Sequence, residues 1–412
     1  MLYQLEGSQA VARAVALCRP EVVCAYPITP QTHIVEGVGE LVRSGQLKNC
    51  QYLNVESEMA AISVAIGSEA AGVRSYTATS SQGLLYMMEA VYNASGLELP
   101  IVMTLGNRAI GAPLNIWNDH GDAMSARDAG WLMMFAENNQ EAADLHIQAF
   151  KIAETLKCPI MVCMDGFILT HAYEKVDLPQ QEEVDEFLPP YRPAFALDPE
   201  NPCAIGAMVP TTEFMEVRYM AHLRQLEAKT VIKKIGEEFS AKFKRNSGGL
   251  IRTYHTEDAE TIIVAMGSVL GTIKDTVDNL NHESGNNKYG VLSVVSYRPF
   301  PDEQIRDAVK NAKRVIVVEK AFALGRGGIL AREVELAVKG LDVEVVTVVA
   351  GLGGRVITES MLAKVFKNPI GNSVRNSTRN STGNPKSQLI FLGLREDIIR
   401  QEYKTVLDER GA

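Results

Sequence analysis

Up to about residue 175, short apolar runs alternate with longer stretches whose apolar positions recur at helical spacing. The runs EVVCAY (21–26), RSYTATS (74–80), PIVMTLG (100–106) and PIMVCMDG (159–166) are apolar and rich in β-branched residues, as strands covered on both faces tend to be. Strands alternating with helices predict a parallel α/β sheet. Between the strands, one helix is expected to begin near Glu58 and run through the small-residue segment MAAISVAIGSEAAG, and another to span Gly83 to Gly96. FLPPYRPAFALDPENP (187–202) is too proline-rich for regular structure and reads as a linker or clamp. The long charged amphipathic stretch 213–245 predicts one helix stopping at Asn246-Ser247-Gly248-Gly249.

The alternation then resumes. TIIVAMGS (261–268), YGVLSVVSYRPF (289–300), RVIVVEKA (314–321) and VEVVTVVAG (343–351) read as strands, with helices such as DEQIRDAVKNA (302–312) between them. The expected organisation is a first α/β domain over 1–245 and a second over 250–365. A low-complexity Asn/Ser/Gly/Pro loop over 366–388 and a closing helix within 389–412 follow.

Composition narrows the function classes. At 412 residues and 46% hydrophobic, the chain can bury a large core, and its net charge of −9 argues against nucleic acid or an anionic membrane as partner. MLYQLEGSQA has no basic region before an apolar core, and no apolar run approaches the roughly 20 residues of a membrane helix, so a cytoplasmic location is expected. Six cysteines without clustered spacing predict reduced, mostly buried thiols. Cys18/Cys24 and Cys158/Cys163 are too far apart for CxxC pairs, and no metal ligand is assigned to this chain.

Three constellations could carry chemistry. Glu56 and Glu58 stand where an extended segment becomes a helix; both could simply favour the helix dipole, or one could point into a cleft at the carboxyl edge of the sheet. RSYTATSSQG puts hydroxyls and an amide in a turn after a strand, where capping alone would also explain Ser80 and Ser81. Arg108, after PIVMTLG, offers a planar fork for a substrate carboxylate, with a surface ion pair as the plain alternative. His120 beside Asp119 and Asp122 suits a hydrogen-bonded loop better than a metal or proton relay. GRGG (325–328) and GLGG (351–354) could cradle an anion or only turn the chain; neither completes a dinucleotide or Walker fingerprint.

YPITP (26–30), SEMAA (57–61), TATSSQGL (77–84), NRAIGAPLNIWNDHGD (107–122) and ENNQEA (137–142) together resemble the alpha subunit of the 2-oxoacid:ferredoxin oxidoreductases, most of all the multi-subunit pyruvate-oxidising kind. MVCMDGFILTH (161–171) and SYRPFP (296–301) continue the likeness in the same order. The resemblance implies a thiamine-enzyme pyrimidine-binding module followed by a domain like the transketolase C-terminal one. It also implies oxidative decarboxylation of a 2-oxoacid, pyruvate above all, with electrons passed to ferredoxin and the acyl group to coenzyme A. Glu58 takes the position of the carboxylate that bonds the cofactor's N1′ and supports its imino form, with Pro27, Ser81 and Gln82 in the cofactor-binding set. Arg108 and Thr29 take the positions that bind the 2-oxoacid's carboxylate and keto group. No GDG motif occurs, so the diphosphate and its Mg2+ are expected on another subunit. The 4Fe-4S clusters are likewise expected on partner subunits of beta, gamma or delta type. Another 2-oxoacid, 2-oxoglutarate or 2-oxoisovalerate, is the alternative substrate; a Rossmann-like nucleotide binder and a structural scaffold are the alternatives outside the family.

Overall fold

A computed structural model describes residues 1–368 and 388–409. The low-complexity segment expected over 366–388 lies mostly outside those residues; its first two positions finish the helix Glu359–Lys367. The strands in the first half are β1 (Leu2–Glu6), β2 (Val22–Ala25), β3 (Gln51–Asn54), β4 (Ser75–Thr79), β5 (Val102–Asn107), β6 (Leu132–Phe135), β7 (Ile160–Asp165) and β8 (Tyr173–Asp177). Those in the second half are β9 (Ile251–Tyr254), β10 (Thr261–Ala265), β11 (Tyr289–Val294), β12 (Ser296–Arg298), β13 (Arg314–Glu319), β14 (Glu344–Val349) and β15 (Gln388–Phe391).

The fold expectation holds. A seven-stranded sheet has the order β12-β6-β7-β5-β4-β2-β3 and is parallel from β6 to β3. A six-stranded sheet has the order β15-β14-β13-β10-β11-β9, parallel except for the edge strand β9. The strands read as apolar runs are buried along their whole length in β4, β5, β7, β10 and β11, because helices cover both faces. β3 escapes the pattern because it is an edge strand whose side chains are mostly exposed.

Two expectations need correction. YGVLSVVSYRPF is not one strand: β11 stays in the second sheet, while β12 pairs antiparallel with β6 at the edge of the first. The chain turns at Val295 and Ser296, whose N–H groups both donate to Leu250 O, and Tyr297 and Phe300 are buried in the core between the sheets. The helix expected over Gly83–Gly96 is instead two, Ser81–Tyr86 and Met88–Gly96, joined at Met87. The helix Phe214–Phe243 matches the expectation and buries Ala228, Ile232, Ile235 and Phe239 in the first core.

The two sheets share a hydrophobic cluster that runs from Ile62 and Leu84 through Trp131 to Ile262, Leu292 and Val317. A buried ionic group joins the same halves. Asp165, at the end of β7, accepts from His120 Nε2 at 2.7 Å and Lys320 Nζ at 2.8 Å, and from both the amide and hydroxyl of Ser268. Burial alone would raise the Asp165 carboxyl; Lys320 and His120 outweigh it and hold the group well below the usual carboxylate range.

Candidate active site

From β2 the chain goes to β3 on one side, whereas from β4 it goes to β5 on the other. The carboxyl ends of β2 and β4 therefore border the crevice where open parallel sheets place ligands. The YPITP and TSSQG segments leave the sheet there, and so does Arg108 after β5.

Ser57 caps the helix Glu58–Ala70, its hydroxyl accepting from Ala60 N–H at 3.2 Å, so Glu58 is the first helical residue. Glu58 is nonetheless buried, at 8% exposed, whereas Glu56 is exposed. Among the described residues its carboxylate has no hydrogen-bond or ion-pair partner. It lies against Gly83: a Cβ there would sit 2.7 Å from Glu58 Oε1. The hydroxyls of Thr79 and Ser80 are also buried without a partner. The unpaired carboxylate and the unpartnered Thr79 hydroxyl meet at the bare glycine, Gly83, a polar surface whose donors and acceptors suit a flat heteroaromatic ring.

Arg108 is 7% exposed and forms no salt bridge among the described residues. Its guanidinium is held by oxygens of neutral groups: Nη1 donates to Thr29 O at 2.8 Å, Nη2 to Gln82 Oε1 at 3.4 Å and Nε to Asn115 O at 3.4 Å. Burial lowers its pKa, with only Asp122 acting the other way. The surface ion pair is thus excluded. Thr29 itself is exposed and its side chain makes no hydrogen bond within the described residues; Pro27 is likewise exposed at the rim.

Asp122, not singled out by sequence for this role, organises the site. Its carboxylate accepts from Ser81 N (3.0 Å), Arg108 N (2.9 Å), Asn107 Nδ2 (2.9 Å) and Ala123 N (2.7 Å), locking the ends of β4 and β5 together. Burial raises its pKa to about 6 against those donors. Ser81, with φ +48°, donates its hydroxyl to Ala109 O at 2.5 Å and also meets Gln82 Oε1. Thr29, Ser81, Gln82 and Arg108 thus form one connected set, next to which Gly83 brings Glu58.

The glycine-rich turns serve the chain itself. GRGG is followed by the N–H groups of Ile329, Leu330 and Ala331, which hold the buried carboxylate of Glu319 at 2.8 to 3.2 Å. GLGG seats the loop after β5, with Gly354 N donating to Asn118 O at 2.8 Å and Asn115 Nδ2 donating to Gly353 O at 3.2 Å. His120 contacts Asp165 rather than a metal-like group with Asp119 and Asp122.

Residues 13–237 match the family described as pyruvate flavodoxin/ferredoxin oxidoreductase, thiamine diphosphate-binding, and residues 259–362 match pyruvate:ferredoxin oxidoreductase core domain II. The chain belongs to the pyruvate:ferredoxin oxidoreductase family. It is 48% identical to the pyruvate synthase subunit PorA of Methanosarcina barkeri over 88% of this chain and 91% of that one. It is 42% identical to the ketoisovalerate oxidoreductase subunit VorA of Pyrococcus horikoshii over 86% and 90%. A solved 2-oxoglutarate:ferredoxin oxidoreductase from Magnetococcus marinus shares the fold, with a TM-score of 0.70 at 19% identity over 89% of this chain. This chain spans 65% of that chain's length.

Proposed function

We propose that this chain is the catalytic alpha subunit of a pyruvate:ferredoxin oxidoreductase, which converts pyruvate reversibly to acetyl-CoA and CO2 with electrons passed to ferredoxin. The observation that carries this reading is Arg108, a buried guanidinium held, among the described residues, only by neutral oxygens. Burying a cation without a counter-charge is costly, and a substrate carboxylate supplies the missing anion in a planar, two-pronged geometry. Thr29, whose carbonyl already binds Arg108, would offer its hydroxyl to the keto oxygen of that substrate.

Thiamine diphosphate, when bound, supplies the nucleophilic carbon and electron sink that a 2-oxoacid needs to lose CO2. Glu58 would hold the aminopyrimidine through its ring nitrogen, with Ser81 and Gln82 beside it and Pro27 at the rim. Glu58's lack of any partner among the described residues keeps its carboxylate available for that bond. The diphosphate, its Mg2+ and the 4Fe-4S clusters belong to partner subunits of beta, gamma or delta type in this reading. Tyr26, Leu114, Trp117 and Ile168, on loops after β2, β5 and β7, are 39%, 75%, 51% and 46% exposed and give the cleft an apolar rim that a partner chain would cover. No helix among the described residues is long and apolar enough to cross a membrane; a cytoplasmic location goes with this reading.

The test is Glu58→Gln in the assembled complex. Pyruvate turnover should fall about 10²- to 10⁴-fold, as for loss of a positioned acid–base group, with assembly intact. Near-normal turnover would overturn the assignment. The similarity to the VorA subunit favours 2-oxoisovalerate as the second reading. Comparing kcat/KM for pyruvate, 2-oxoisovalerate and 2-oxoglutarate in the same complex decides between them.

A further inference from the structure

Glu6, His33 and His171 come from three distant parts of the chain and meet at one point, with their ligand-type atoms all within 4.8 Å of one another. Glu6 ends β1, His33 lies in the first turn of the helix Thr32–Arg43, and His171 follows the turn after β7. His33 Nδ1 stands 2.7 Å from Glu6 Oε1, and the two imidazoles are tilted face to face with centroids 4.8 Å apart.

The bases of these side chains are fixed by packing rather than by the contact itself. Gly7 N donates to Ala172 O at 3.0 Å and Ser8 N to Thr170 O at 2.9 Å, which ties the end of β1 to the His171 segment. His171 is oriented from behind: Thr170 Oγ1, fully buried, lies 2.7 Å from its Nδ1, and Phe167 stacks on its ring at 4.7 Å. That hydroxyl also accepts the Phe167 N–H at 2.8 Å, so its position is set independently. With Nδ1–H donating to that hydroxyl, Nε2 keeps a free lone pair, the tautomer in which metal-binding histidines are commonly held.

We propose that Glu6, His33 and His171 form a divalent-metal site suited to Zn2+, with the fourth position open to water. Two imidazoles and one carboxylate are a known zinc set, and a borderline-soft ion prefers them over the all-oxygen sites of Mg2+. A tetrahedral ion with bonds of about 2.1 Å spaces its ligand atoms about 3.4 Å apart. The Glu6–His33 pair must therefore open by about 0.7 Å and the most distant pair close by about 1.4 Å, and the His33 side chain, 46% exposed, has room to shift. Bound there, the ion replaces the direct contact between His33 and Glu6. It would fasten the helix that starts three residues after Thr29 to the segment after β7, on which Pro30 already packs through Gly166. This inference does not depend on the proposed function.

The full chain, stripped of metal, is dialysed against Zn2+ alone and the bound zinc is counted. One equivalent is expected, with an upward shift of the thermal midpoint as for any ligand that binds only the folded state. His171→Asn and Glu6→Gln should each weaken binding by more than about tenfold, and Thr170→Val, which removes only the orienting hydroxyl, by about tenfold. Cys203→Ser, which removes the exposed thiol, should keep the full equivalent. Glu6→Gln is isosteric and retains a hydrogen-bond partner for His33, so its loss of zinc reports the ligand and not the fold. No bound equivalent in the native chain, or zinc retained in both His171→Asn and Glu6→Gln, would overturn the site.

Discussion

Asp165 and Arg108 leave neighbouring strands, β7 and β5, at the same edge of one sheet, and both are almost fully buried. Asp165 is met by Lys320, His120 and Ser268, which between them supply the counter-charge and fill its lone pairs. Arg108 is met by carbonyl and amide oxygens and has no salt bridge among the described residues. A few ångströms of design separate a charge spent on joining two halves of the molecule from a charge left for something outside it. The difference teaches that burial alone says little about role; whether the counter-charge is inside the chain says more.

Breaking the joined side should give the largest effect. Asp165→Asn leaves Lys320 as a buried cation without its carboxylate, and stability should drop by about 3–5 kcal/mol. Thermal or urea unfolding measures it, and an unchanged midpoint would mean that the ionic group does not hold the halves together. On the open side, Arg108→Gln should lower kcat/KM for pyruvate by about 10- to 100-fold, equivalent to a charge-assisted hydrogen bond of roughly 1.5–3 kcal/mol. Its unfolding midpoint should stay level or rise, because the substitution removes a buried charge that has no salt bridge among the described residues. A fall in stability as large as that of Asp165→Asn would place Arg108 among the structural ions instead. Thr29→Ala sharpens the contrast least: one hydroxyl exposed to the cleft should account for about tenfold or less in kcat/KM, with no change in unfolding. A mainly thermal defect there would reduce YPITP to a turn.

Much of this was legible in the chain. Parallel α/β architecture followed from apolar runs alternating with helical spacing, and the runs that became β4, β5, β7, β10 and β13 were each read as strands. The family resemblance named Glu58, Arg108 and Thr29, and the fold brings Arg108 and Thr29 into direct contact while burying Glu58 beside Gly83. β12 was read wrongly because a continuous apolar run carries no sign of which sheet will accept its end. Asp122 was seen only as a neighbour of His120; its role depends on amides from β4 and β5, which are 41 and 14 residues away in sequence. GRGG was a fair anion cradle, but the anion is Glu319 of the same chain.

Periodicity, proline and glycine placement and local motif order are near-neighbour properties, so the sequence by itself determined the elements, the class of fold and the residues with chemistry at strand ends. Electrostatic pairing acts through space and depends on which strand ends share an edge. Only the tertiary structure could therefore decide that Asp165 has its counter-ions while Arg108 has no ion pair among the described residues, that Glu58 rather than Glu56 is buried, and that Glu6, His33 and His171 meet.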